Sequence, residues 1–252
     1  MRKIKSQSLS DEVKEELLKY IKTSFDGSDN KLPTEEQFST MLGVSRITIR
    51  TALNDLANDG IIFRRQGKGT FINPQAVSMK VSFNPVALFN DMITQCGYTP
   101  AVKLLKTDRK QADEDTAKLL DVPEGSDVVV ARKIFFADKH PCAFCEDVFA
   151  VSILKNEADL LLMNEYENSL FEFFYERCDH KITWDRTEIL TVTNHDREDL
   201  SDLFQCDGQI KSFLLLECIN FNSNDQPVVY AKEYIDTNFI RFNSIRQKGF
   251  SK

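Results

Sequence analysis

Between Leu32 and Gly60 the sequence LPTEEQFSTMLGVSRITIRTALNDLANDG sets two stretches of helical apolar spacing on either side of one glycine, and this constrains the chain more than any other feature. Thr34 and Gln37 have the spacing of a capping box, which satisfies free backbone donors at the start of a helix running through about Met41. The LGVS segment breaks that helix. Ser45 can cap the next one, whose Ile49, Ala52, Leu53 and Leu56 recur on one face, and Gly60 offers a left-handed stop at its end. Helix, short glycine turn and helix in that order make a helix-turn-helix.

The flanking sequence extends the pattern. Val13, Leu17, Tyr20, Ile21 and Phe25 follow Ser10 at three- and four-residue steps, predicting an amphipathic helix over 10–25. After Gly60, IIFRR and TFIN read as short strands joined by QGKG, whose glycines suit a tight hairpin with a basic tip, a wing. Because Ile49, Leu53 and Leu56 must face inward, Arg46 and Arg50, one turn apart, project together from the amino-terminal half of their helix. That half of a recognition helix meets base edges in the major groove, where arginine can bind guanine through two hydrogen bonds. Ser45 and Thr48 can add phosphate or base contacts. An isolated Arg-x-x-x-Arg is ordinarily a solvated helix face. Capping box, glycine turn, paired arginines and glycine hairpin, all within about 40 residues, instead describe a DNA-binding surface.

At 252 residues and 42% hydrophobic content, the chain supports one large domain or two modest ones. A net charge of −7 argues against a nucleic-acid partner only as a whole-chain sum. Residues 1–75 hold 12 basic against 10 acidic side chains, and the remainder 20 against 29. Within 44–70, Arg46, Arg50, Arg64, Arg65 and Lys68 face only Asp55 and Asp59. The amino terminus lacks an apolar signal core and no run is long enough to cross a bilayer, so a cytoplasmic protein without a membrane partner is expected. Six cysteines scattered among apolar neighbours read as reduced thiols. Cys142 and Cys145 beside His140 invite a zinc reading. No second pair follows, and alternation along a strand would part the two, so no metal or cofactor is expected.

The rest of the chain runs through two similar series. Asn84 and Pro85 open a helix closed by Gly97; AVKLLKT is a strand, 112–121 a helix, and VVVARKIFF and CAFCEDVF are strands about the turn ADKHP. The order then returns: Ser169 opens SLFEFFYERC, ITWDRTEILTV is a strand, Asn194 caps HDREDLSDLF, and FLLLECINF and VVYAKEYI are strands about NSNDQP. Asn84 and Ser169, Gly125 and Gly208, and Pro141 and Pro227 lie 85, 83 and 86 residues apart. An α+β domain around a mainly antiparallel sheet with a pseudo-twofold repeat follows.

The segment from Leu32 to Ile72 resembles the DNA-binding signature of the GntR family of bacterial transcription regulators. That resemblance implies operator contacts from Arg46, Thr48 and Arg50, with Gly67 and Lys68 of the wing in the minor groove; Thr34, Ser45, Arg65 and Gly69 complete the expected DNA-binding set. The family commonly has arginine soon after the first glutamate of its LPSER segment, where this chain has Glu36. Residues 80–245 resemble the UTRA ligand-binding domain of the HutC-type subfamily. This implies a chorismate-lyase-like fold, an effector pocket and a homodimer. The expected organisation is a winged helix-turn-helix at 1–73, a linker at 74–80 and an α+β effector and dimerisation domain at 81–252.

The expected effector-binding residues are Phe83, Arg132, Lys133, Glu146, Ser169, Phe171, Tyr230 and Tyr234. Ser169 with Glu172 fits a capping box, yet a helix start with a hydroxyl also receives anions. Arg132 and Lys133, adjacent on a strand, point to opposite faces. In sugar-phosphate-binding relatives two basic side chains alternate along this strand; here the positions are Lys133 and Phe135. Phe171 stands where relatives have tyrosine and Val229 where they have glutamate, so an effector less polar than an amino-sugar phosphate, still compatible with an anion, is expected. The functional expectation is a ligand-responsive regulator, a repressor, acting as a homodimer on a pseudo-palindromic operator and having no catalytic residues. The alternatives are a lyase-like enzyme domain fused to a DNA-binding module, and a winged helix used for protein contacts.

Overall fold

The computed structural model describes residues 9–24, 30–77, 81–82, 88–166 and 169–245. These fall into two units, one reaching residue 85 and taking in the stretch from residue 243, the other comprising residues 86–242.

In the first unit, α1 (Leu9–Ser24), α2 (Glu35–Leu42) and α3 (Arg46–Asn58) precede a hairpin of β1 (Ile62–Arg65) and β2 (Gly69–Ile72). Both expected caps form: Thr34 and Gln37 make the reciprocal box, and the Ser45 hydroxyl accepts from the Thr48 N–H. Gly43 turns the chain between α2 and α3 at φ +67°. Val13, Leu17 and Ile21 of α1 pack with Phe38 of α2 and with Ile49, Ala52, Leu53 and Leu56 of α3 in one closed core. Helix α1 ends at Ser24, and Phe25 lies outside the described residues. The expected linker at 74–80 begins with a helical turn, α4 (Pro74–Val77), and β3 (Val81–Ser82) pairs with β10 (Phe242–Asn243).

The second unit contains α5 (Phe89–Gln95), β4 (Pro100–Gln111), α6 (Glu114–Leu120), β5 (Asp127–Ala137) and β6 (His140–Ala150). Two 3-10 segments follow, Val151–Ile153 and Glu157–Tyr166. Then come α7 (Leu170–Cys178), β7 (Ile182–Thr193), α8 (Asp199–Leu203), β8 (Ser212–Asn222) and β9 (Pro227–Ile235). The sheet order is β4-β5-β6-β9-β8-β7, antiparallel throughout. Its halves are therefore the same three strands in mirrored order, as the repeated landmarks predict. One face carries α7, whose Phe173 and Phe174 pack on Val129, Phe149 and Val229, and also α5, whose Phe89 ring lies 4.7 Å from that of Phe135. The opposite face carries α6 against Val128, Val130 and Tyr230, and α8 against Phe144, Phe213 and Tyr234.

Two helix starts differ from expectation. Asn84 and Pro85 lie outside the described residues, and the described helix α5 has Leu88 at its N-cap. Asn194 does not cap a helix, because α8 begins only at Asp199. Its buried amide instead ties a loop: Nδ2 donates to Ser201 Oγ and to the Gln209 carbonyl, each at 2.9 Å, and Oδ1 accepts the Lys211 N–H at 2.7 Å. Replacing Asn194 with Ala removes three hydrogen bonds that close this loop, so urea unfolding should show a loss of about 1–3 kcal/mol in total.

Candidate functional site

In the first unit the buried face of α3 fixes the outward one. Arg46, Ile47, Arg50 and Thr51 are exposed, Ile47 at 75%. Arg50 is held in place: its Nε and Nη2 donate to Glu35 Oε2 at 3.0 and 2.8 Å. Arg64 of the wing reaches Glu35 Oε1 at 3.5 Å. The hydrogen bond from Arg50 pulls the Glu35 carboxyl below its ordinary range; burial opposes this, and Arg64 and Arg46 assist. Arg65, on the other side of the wing strand, lays its guanidinium over the stacked rings of Phe63 and Phe71, 4.9 and 5.2 Å from their centroids. At the wing tip Gly67 and Gly69 take φ +70° and +117°. A Cβ on Gly69 would sit 3.1 Å from Lys31 Cε, so the glycine also makes room for a further basic side chain. The nine expected residues Thr34, Ser45, Arg46, Thr48, Arg50, Arg65, Gly67, Lys68 and Gly69 thus belong to α2, α3 and the wing of one folded unit. Glu35, Arg64 and Ile47 join them. Arg50 and Glu35 are fifteen residues apart, a contact no local spacing announces.

The expected effector residues divide between the two faces of the sheet. Arg132 pairs in register with Glu146, which pairs with Lys232, so these share the face of α6 and α8 with Tyr230 and Tyr234. Lys133 pairs with Cys145 and points to the other face, where α7 also lies. One pocket cannot take both sets, since a strand parts adjacent side chains. Phe83 lies outside the described residues. The Ser169 hydroxyl accepts from the Glu172 N–H at 3.2 Å, and Phe171 on α7 stays 37% exposed.

On the α6/α8 face, Glu146 stands at the centre of a network that also includes Arg197, a residue the sequence reading passed over. Arg132 Nε donates to Glu146 Oε1 at 2.8 Å, and its Nη1 to Asp108 at 2.6 Å. Arg197 Nη1 donates to Glu146 Oε2 at 2.5 Å and to the Tyr234 hydroxyl at 2.6 Å, and the guanidinium lies 4.7 Å from the Tyr234 ring centroid. Its Nε and Nη2 hold Asp199. Burial pushes the Glu146 carboxyl up, but hydrogen bonds from Arg197 and Arg132 outweigh it and leave the group below its ordinary value. On the opposite face Lys133 Nζ lies 3.3 Å from Asp147 Oδ2, beside Glu233, whose carboxyl burial pushes up to about 8.

Cys142 sits in the bulge between Phe135 and Phe136, where its thiol donates to the Phe135 carbonyl. Burial pushes that thiol up to about 12 and Cys145 upward as well, so both stay protonated near neutrality. Among the described residues no group of three or more His, Cys, Asp or Glu side chains is placed to hold a metal ion, and no helix is long and apolar enough to cross a membrane.

A winged helix-turn-helix followed by a twofold-repeated sheet with charged side chains on both faces defines a DNA-binding regulator with an attached ligand-sensing domain. The gntR family of bacterial regulatory proteins matches residues 9–72, the UTRA domain matches residues 95–241, and the chain belongs to the GntR regulators that carry a UTRA domain. It is 28% identical over 230 residues, 90% of each chain, to a probable fructoselysine utilization operon transcriptional repressor of Escherichia coli K12. It is 27% identical over 132 residues, 52% of this chain and 54% of the other, to the transcriptional repressor NagR of Bacillus subtilis. Among solved structures it resembles the possible regulator YydK of Bacillus subtilis (TM-score 0.71, 19% identity, 94% of this chain and 99% of that one). It also resembles PhnF of Mycobacterium smegmatis (TM-score 0.59, 20% identity, 94% and 100%). At these identities the structures establish the fold.

Glu146 yields a pH-dependent prediction. A carboxyl whose folded pKa is depressed contributes stability that is fully present above its unfolded pKa, near 4.5, and is lost as pH falls through the folded value. Glu146→Gln, which removes the anion Arg132 and Arg197 share but leaves them Asp108 and Asp199, should cost about 1.5–3 kcal/mol at pH 7. Denaturant titrations across pH should show the gap between variant and parent shrinking below pH 4.5.

Proposed function

We propose that this regulator is a cytoplasmic repressor without catalytic activity, binding a pseudo-palindromic operator as a homodimer and changing its operator affinity when a small molecule occupies the second unit. The observation that carries the DNA-binding part is Arg50, exposed beside Arg46 on α3 yet held at a fixed angle by Glu35. A guanidinium whose direction is set before binding loses less freedom on meeting a guanine edge. In this reading Arg46, Thr48 and Arg50 face base edges, Thr34 and Ser45 sit near phosphates, and Arg65, Gly67, Lys68 and Gly69 follow the minor groove. The E. coli and B. subtilis relatives, both named as repressors, support repression. Two DNA-binding units joined through a dimer must match the spacing of two half-sites, so a ligand that changes the spacing they can adopt changes affinity.

The test is Arg50→Ala, read by fluorescence anisotropy on an operator selected from random duplexes and on scrambled DNA. Loss of about 1–3 kcal/mol on the operator, with little change on scrambled DNA, is expected. Equal losses on both would reassign Arg50 to phosphate, and no loss would remove it from the interface.

A further inference from the structure

Strands β6 and β9 pair with Ala143–Val148 running against Tyr230–Ile235, and the pseudo-twofold relating the two halves passes through the pair Glu146 and Lys232. On the face shared with α5 and α7, this symmetry makes Glu233 the counterpart of Asp147, and Cys218 the counterpart of Lys133. In the first half, Asp147 has its cation: Lys133 Nζ lies 3.3 Å away. In the second half the carboxyl remains, but the position that should supply the cation holds a thiol.

Glu233 has neither a hydrogen bond nor an ion pair among the described residues, although its surroundings are charged. It is half-buried, with Asp147, Asp185 and Lys133 as its charged neighbours. Asp185 projects onto the same face from β7, opposite Asn220 and beside Thr187, whose hydroxyl it binds. Three carboxyls thus share one lysine, and that lysine is engaged by Asp147. A carboxyl withdrawn from solvent without a partner is costly to the fold.

We propose that the effector carries a protonated amine, and that Glu233, with Asp185 on the same face, receives that ammonium group in the place the symmetry leaves without a lysine. The inference rests on the reading of the second unit as the effector domain. The ammonium does for Glu233 what Lys133 does for Asp147, converting an acid that burial keeps largely protonated into an ion pair.

The experiment is thermal unfolding of the full chain at pH 7 against free-amine compounds, glucosamine, lysine and short diamines among them. Glucosamine is matched with its N-acetylated form and lysine and the diamines with their fully N-acetylated forms, and sugar phosphates without an amine complete the set. A compound that binds only the folded state raises Tm by mass action. The expected result is stabilisation by one or more free amines, weakened at least tenfold in apparent Kd by N-acetylation and by Glu233→Gln. That variant should unfold no earlier than the parent, because it removes only an unpaired acid. Cys218→Lys should raise Tm without any ligand and abolish the amine response, and adding Glu233→Gln should cancel the gain. Stabilisation that survives N-acetylation or Glu233→Gln, or that comes only from sugar phosphates, overturns the proposal and leaves the effector-domain reading standing. No response to any compound, with no gain from Cys218→Lys, overturns the proposal and counts against a small-molecule role as well.

Discussion

The pairing of β6 with β9 is the contact on which the second unit depends, because it is the seam where two copies of one strand-helix pattern become a single sheet. Each half alone would expose a long strand edge, and open edges recruit other strands. Pairing removes both edges at once. The seam is charged on one face by Glu146 and Lys232, and the arginines of β5 and of the loop before α8 converge on Glu146 from both halves. A carboxylate so surrounded contributes little net stability against an apolar alternative, but it is costly to remove, so it specifies how the halves meet.

The same separation of duties governs the DNA-binding unit. Its core consumes one face of α3 and leaves the other to the arginines. Glu35 does for Arg50 what Glu146 does for Arg132, giving a long flexible cation one preferred direction. At the first site the cation remains exposed; at the second it is half-buried.

Much of this was legible in the sequence, for identifiable reasons. Caps, glycine turns and apolar periodicity are local, so Thr34, Ser45, Gly43 and the wing read correctly, and the repeat was visible in the spacing of its turns. Strand register was not. Arg132 and Lys133 could be assigned to opposite faces, but only the paired strands show that Glu146 and Tyr234 go with the first and Glu233 with the second. Asn194 looked like an N-cap because asparagine suits both a cap and a loop tie, and the choice depends on Gln209 and Lys211 arriving from farther along the chain. Arg197, in a polar turn, carried no local signal of the carboxylate it binds fifty-one residues away.

The central claim is that α3 and the wing read DNA sequence rather than merely attract a polyanion or dock a protein. It is tested most directly by measuring binding of the full chain to a selected operator and to a scrambled duplex across a salt series. The account predicts an operator preference of about 10³ or more, with affinity for both duplexes falling steeply as salt rises, as phosphate neutralisation requires. Weak binding, equal for the two duplexes and insensitive to salt, would contradict it and assign the winged helix to protein contacts.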